Sequence, residues 1–184
     1  MLKIIVMHFL CKILGLLILL SMFIIFSQCT RSDSGKPLQN PSNYKEQLIN
    51  ANQEAARTEN DQIDDYILRH NWKMETTSTG IRIMFEKHGI GPKTQYGKTV
   101  KLSYTVTLLT GDTVYSALKE GPLVFEVGKG QVITGLEEAI LLLRVGDRAK
   151  IIIPSHLAYG LIGDQKKIVH KASLVYDMEF ISIY

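Results

Sequence analysis

Few side chains in the 184 residues are able to make or break a covalent bond. There is no Gly-x-Ser-x-Gly elbow, no His-Glu-x-x-His pair and no Gly-Lys-Ser/Thr phosphate loop. The only cysteines are Cys11 and Cys29, so everything after them lacks a thiol nucleophile, a disulfide and a cysteine-ligated zinc. His70, His88, His156 and His170 show no metal-ligand spacing. Glu137 and Glu138 are neighbours on a predicted helix and point about 100° apart, which makes a solvated face rather than an acid–base pair. Gly128-Lys129-Gly130 with Gly135 lacks the dinucleotide spacing and is read as a turn. What remains is aromatic and aliphatic, eight tyrosines, six phenylalanines and one tryptophan among apolar residues. A phenol needs a partner when buried and prefers a half-wet site. Such residues bind, desolvate and orient; they need no metal and no cofactor.

The elements that must position them follow from periodicity. Ile81, Ile83 and Phe85 alternate, as do Val100 through Leu108 and Leu123, Phe125 and Val127, which predicts half-buried strands. Gly89-Ile90-Gly91-Pro92 and Thr110-Gly111-Asp112 supply turns between them. Gly135–Leu143 is the one helical interval, with Leu136, Ile140 and Leu143 on one face. Arg148–Pro154 and Ser173–Ile183 are two further strands, separated by an 18-residue loop whose length marks it as functional. Strands on both sides of a single short helix predict an α+β domain, an antiparallel sheet wrapped around that helix.

Ahead of this domain the chain changes character. Residues 30–41 hold Ser, Asp, Gly, Pro and Asn without apolar periodicity and form a linker. Residues 42–70 are polar and helix-favouring, with Leu48 and Ile49, then Ile63, Tyr66 and Ile67, as a narrow apolar stripe. Thr58 with Asp61 has a capping-box pattern, which predicts a helix start there. This segment is read as a spacer that packs a few side chains on the main domain, with a homodimer through residues 42–70 as the other reading.

Lys3, His8 and Lys12 precede Ile13–Phe26, an uncharged apolar stretch of 14 residues. A helix of that length spans roughly 21 Å, short of the ~30 Å hydrocarbon core. A basic lead and a short apolar core predict a signal peptide over residues 1–28. Its end, Phe26-Ser27-Gln28-Cys29, resembles a bacterial lipoprotein signal, with Gln28 where a small residue is usual. Cys29 is then the lipidated residue, and the protein faces an extracytoplasmic compartment of the cell envelope. An uncleaved anchor with Lys12 snorkelling is the alternative. Beyond residue 28 the chain carries 19 basic and 18 acidic residues without a like-charge run, which gives no electrostatic footprint for nucleic acid.

Three ordered fragments carry a family resemblance. Val127-Gly128-x-x-x-Val132-Ile133-x-Gly135-Leu136-Glu137-Glu138 comes first, then Val145-Gly146-Asp147-Arg148-Ala149, then Ile153-Pro154-x-x-x-Ala158-Tyr159-Gly160. Together with Ser103-Tyr104-Thr105 and Ala172-Ser173-Leu174-Val175-Tyr176-Asp177 they resemble the FKBP family of macrolide-binding peptidyl-prolyl isomerases over residues 80–184. With the lipoprotein-like lead, the whole resembles gliding-motility-associated FKBP-type lipoproteins. The domains then read as 1–28 signal, 29–41 linker, 42–79 helical segment and 80–184 isomerase domain.

The resemblance implies an enzyme without cofactor or metal that rotates X–Pro bonds of polypeptide clients, assisting the folding of exported proteins. A non-catalytic peptide-binding or chaperone module on the same fold is the alternative. It places Tyr104, Val132, Ile133, Leu136, Tyr159 and Tyr176 around the proline ring, and Ile168 in the wall from the long loop. The Ile133 N–H and the Tyr159 hydroxyl would donate to the substrate. Departures fall at the pocket: Val114-Tyr115 stands for the family's Phe-Asp, so its acidic residue is missing. Leu123 and Leu136 replace an aromatic residue and a tryptophan floor, Val169-His170 replaces Pro-Pro, and Asp164 takes the place of a histidine near the loop tip. Tyr115 either restores part of the aromatic wall or plugs the pocket.

Overall fold

The computed structural model describes residues 41–184. The signal over residues 1–28, Cys29 and residues 30–40 of the linker lie outside the described residues. No described helix is long and apolar enough to cross a membrane. The chain divides at residue 48, with residues 49–184 as one compact unit. Residues 44–48 are exposed helix; the compact unit holds the folded domain.

Helix α1 spans Pro41–Arg69 without interruption. The helix start expected at Thr58 is therefore corrected. Thr58 lies mid-helix, and its hydroxyl donates to the Glu54 carbonyl one turn back at 3.0 Å. A threonine satisfied in this way does not need to cap anything.

Seven strands form one antiparallel sheet: β1 (Glu75–Thr76), β2 (Arg82–Lys87), β3 (Thr99–Leu108), β4 (Thr113–Ser116), β5 (Leu123–Glu126), β6 (Arg148–Ile153) and β7 (Leu174–Ile183). Their order is β1-β2-β6-β7-β3-β4, and β5 pairs with the first half of β3. Strand β3 is the spine: it pairs along its length with β7, from Val100 opposite Ile183 to Leu108 opposite Leu174. Short helices α2 (Ala117–Glu120) and α3 (Thr134–Ile140) complete the order, and a 3-10 turn at Ser155–Leu157 opens the long loop. The antiparallel sheet wrapped on one short helix is the architecture the periodicity predicts; β1, β4 and α2 are too short to show it.

Alternation sends Val100, Leu102, Val106, Ile151, Ile153, Met178 and Phe180 to the face that packs on Leu136, Ala139 and Ile140 of α3. The opposite face is covered too. Ile63 and Tyr66 of α1 are buried on Ile152 and Val175. Ile151-Ile152-Ile153 is thus a continuous apolar run because both faces of β6 are closed. Arg82, buried beneath α1, donates to the Gly80 carbonyl at 2.6 Å, Asn60 at 3.0 Å and Asp64 at 3.2 Å. The second half of the apolar stripe is used up on the sheet, while Leu48 and Ile49 are exposed.

Helix α3 sits close to the sheet because its second residue has no side chain. A Cβ at Gly135 would lie 2.3 Å from Ile153 Cγ2 and 3.1 Å from the Leu157 carbonyl. Gly135→Ala is expected to lower stability by about 1–3 kcal/mol, measured as a fall in the urea midpoint. An unchanged midpoint would show that the helix shifts without cost.

Candidate functional site

Between α3, the sheet and the long loop lies a cavity of about 230 Å³, lined by Tyr104, Val106, Tyr115, Leu123, Gln131, Val132, Ile133, Leu136, Tyr159, Ile168 and Tyr176. Each element brings a part of it. Strand β3 contributes Tyr104 and Val106, with Tyr176 of β7 opposite Val106 in register. Leu136, 1% exposed, is the floor from the first turn of α3. Tyr159 and Ile168 come from the long loop, the phenol 38% exposed at the rim and the isoleucine buried.

Nine of the ten residues expected at a pocket line this cavity. Val114 does not and is corrected: it is buried in the hydrophobic core. Successive strand residues point to opposite faces, so turning Tyr115 towards the hollow turns Val114 away. Val106 and Gln131 line the cavity without having been singled out. Val106 looked like any alternating strand residue, and nothing in the sequence marks Gln131, whose side-chain oxygen accepts the Glu126 N–H at 2.9 Å.

Tyr115 does not plug the cavity. Its hydroxyl donates to Oδ2 of Asp164, while Oδ1 of that carboxylate accepts the N–H groups of Lys166 at 2.9 Å, Lys167 at 3.0 Å and Ile168 at 2.7 Å. The Lys167 ammonium lies 4.6 Å above the Tyr115 ring and 3.2 Å from Glu120. The acid that position 115 lacks therefore comes from the loop, seen in the sequence only as an aspartate in place of a histidine. One carboxylate folds the loop tip and ties it to the end of β4.

Electrostatics keep the phenols neutral. Burial, chiefly, pushes the Tyr104, Tyr159 and Tyr176 hydroxyls above the ordinary tyrosine value, helped by Glu120 at Tyr104 and by Asp164 at Tyr159. The hydrogen bond to Asp164 pushes Tyr115 up to about 12. Burial pulls Asp164 upward, but the Tyr115 hydroxyl and the three loop N–H groups outweigh it, and the carboxyl stays below its usual range. Across physiological pH the cavity wall offers phenol donors and no base. Among the described residues, no three His, Cys, Asp or Glu side chains group to hold a metal.

Among the described residues, the backbone N–H groups of three consecutive lining residues, Gln131, Val132 and Ile133, donate to no protein group. Ile133 precedes α3 in an extended conformation, φ −60° and ψ 148°, with its carbonyl accepting from Leu136 and Glu137. Its N–H donates to no group among the described residues. A free N–H on a residue that lines an apolar cavity shared with phenols fits a bound amide carbonyl.

Residues 91–181 match the family described as FKBP-type peptidyl-prolyl cis-trans isomerase, and every residue lining the cavity lies within that span. Over 92 residues the chain is 42% identical to FK506-binding protein 2 of Dictyostelium discoideum, covering 50% of this chain and 69% of that protein. Over 161 residues it is 33% identical to the FKBP-type peptidyl-prolyl cis-trans isomerase FkpA of Aeromonas hydrophila, covering 85% of this chain and 59% of that protein. The crystal structure of AtFKBP13 matches at a TM-score of 0.59 and 28% identity, over 61% of this chain and all of that one.

Removing the Asp164 carboxylate lets Tyr115 ionise more easily, because the neutral phenol loses its acceptor and the phenolate loses a repelling charge. In Asp164→Asn, ultraviolet titration is expected to bring one phenol down from about 12 towards about 10. An unchanged titration curve would show that Tyr115 and Asp164 are not coupled.

Proposed function

The chain belongs to the FKBP-type peptidyl-prolyl cis-trans isomerase family, and from that premise we propose that it rotates X–Pro bonds by desolvation. The observation that carries this is the unpartnered Ile133 N–H at an open, phenol-walled cavity with a leucine floor.

The planar amide is held by resonance, with a barrier of roughly 18–20 kcal/mol and spontaneous exchange in tens to hundreds of seconds. It is also the more charge-separated and better hydrated form. A proline ring seated on Leu136 between Tyr104 and Tyr176 leaves its imide bond in a site stripped of water. Desolvation then disfavours the planar ground state relative to the twisted one. Ile133 N–H fixes one substrate carbonyl, and the Tyr159 hydroxyl, at the half-exposed rim, makes a second bond. No proton moves to a side chain. An acceleration of 10⁴–10⁵ asks for about 5.5–7 kcal/mol, within reach of a dry cavity and two oriented hydrogen bonds.

The basic lead, the short apolar core and Cys29 support an envelope location, with Cys29 carrying the lipid. Clients are then proline-containing chains that fold after export.

A protease-coupled assay on an Ala-Pro peptide with the full chain is expected to show acceleration over the spontaneous rate. Tyr159→Phe lowers kcat/KM by about three- to tenfold. The rate is flat from about pH 7 to 10, because the cavity phenols all titrate above their ordinary value. A spontaneous-rate result removes the activity and leaves a binding module; an inflection in that window removes the desolvation mechanism. Cys29→Ser is expected to move the chain from the membrane fraction to the soluble envelope fraction, and retention in the membrane would sink the lipid anchor.

A further inference from the structure

The long loop that carries Tyr159 and Ile168 leaves the sheet at Ser155 and returns at Ser173, and both ends meet one side chain of α1. Oε1 of Glu59 accepts the Ser155 N–H at 2.6 Å and the Ser173 hydroxyl at 2.5 Å, and Oε2 accepts the Ser155 hydroxyl at 3.0 Å. Both serines are buried. These partners lie 96 and 114 residues from Glu59 along the chain. The carboxylate therefore adds a side-chain clasp across the two feet of the loop, just beyond the point where the β6–β7 pairing ends at Ile153 opposite Leu174.

From that point a short line of backbone bonds leads to the cavity. The Ser155 carbonyl accepts the Gly160 N–H at 2.9 Å, and the Gly160 carbonyl accepts the Lys171 N–H at 2.7 Å. Tyr159 is the residue beside Gly160. Helix α1 is itself held elsewhere, by Ile63 and Tyr66 on Ile152 and Val175 and by Asn60 and Asp64 on Arg82. Glu59 is thus presented to the loop from a fixed support. It lies outside residues 91–181, where the family match falls.

We infer that Glu59 is a positioning residue for the proline cavity, clamping the feet of the loop so that Tyr159 and Ile168 stand against the substrate ring. The clamp is a matter of geometry; its effect on turnover rests on the isomerase reading above.

Full-chain Glu59→Ala is the test. Amide exchange at Gly160 and Lys171 is expected to rise on the order of tenfold, with β3 and β7 amides unchanged. KM for the Ala-Pro peptide rises about three- to tenfold while kcat stays within about twofold, since the loop wall holds ground and transition states alike. Glu59→Gln keeps one oxygen acceptor and falls between wild type and Glu59→Ala. Ser173→Ala, which removes one bond, shifts exchange the same way by less. Should Glu59→Ala not fold, these two variants carry the same comparison. Asp61→Asn, exposed on the same helix, moves neither loop exchange nor KM. Unchanged loop exchange, or a rise spread evenly over β3, β7 and the loop, overturns the clamp. A wild-type chain that turns over only at the spontaneous rate overturns the isomerase reading instead, and the exchange pattern still decides the clamp.

Discussion

An apolar hollow inside a small domain tends to close, because side chains that lack neighbours on one side gain contacts by moving inward. Here about 230 Å³ remains open, and everything else in the domain bears on that. The floor cannot rise, because Leu136 belongs to a helix pressed on β6 by Gly135. The back wall is set by the β3–β7 register, which puts Tyr176 opposite Val106. The front wall is a loop with little regular structure, and it is the part that needs tying down.

Two carboxylates do the tying. Asp164 folds the loop tip around itself and takes the Tyr115 hydroxyl; Glu59 gathers the loop's two feet. Each is engaged at both oxygens, Asp164 by four donors and Glu59 by three, and neither lines the cavity. That is consistent with chemistry in which polarity must be withheld from the reacting bond. Charges stay at the rim, in the Lys167–Glu120 pair and the ammonium over the Tyr115 ring, while the wall presents neutral hydroxyls.

Helix α1 changes what the sheet is. An antiparallel sheet commonly leaves one face to water, yet here Ile152 and Val175 are covered by Ile63 and Tyr66. The covered face brings Glu59, Asn60 and Asp64 within reach of the sheet and loop. A segment that reads as a polar spacer thereby becomes part of the support of the site.

Much of this was legible from residue order. Alternation marked β2, β3 and β5, apolar stretches marked β6 and β7, and the helical spacing of Leu136 and Ile140 marked α3. The same stretches held Tyr104, Leu136 and Tyr176 of the cavity, while Ile133 and Tyr159 lie outside them and were expected from the family resemblance. The alternation of β5 runs on to Val127 beyond its four residues, whereas β4 and α2 have no such continuation. Thr58-x-x-Asp61 could not report whether a helix begins there or runs through, since the hydroxyl bonds equally well backward to Glu54. Tertiary structure alone decided that Val114 turns into the core while Tyr115 faces the cavity. It also paired Asp164 with Tyr115 and brought Glu59 to Ser155 and Ser173. Periodicity records which face a residue takes within its own element. Which distant polar groups become neighbours depends on how separate elements pack, and that is written only in three dimensions.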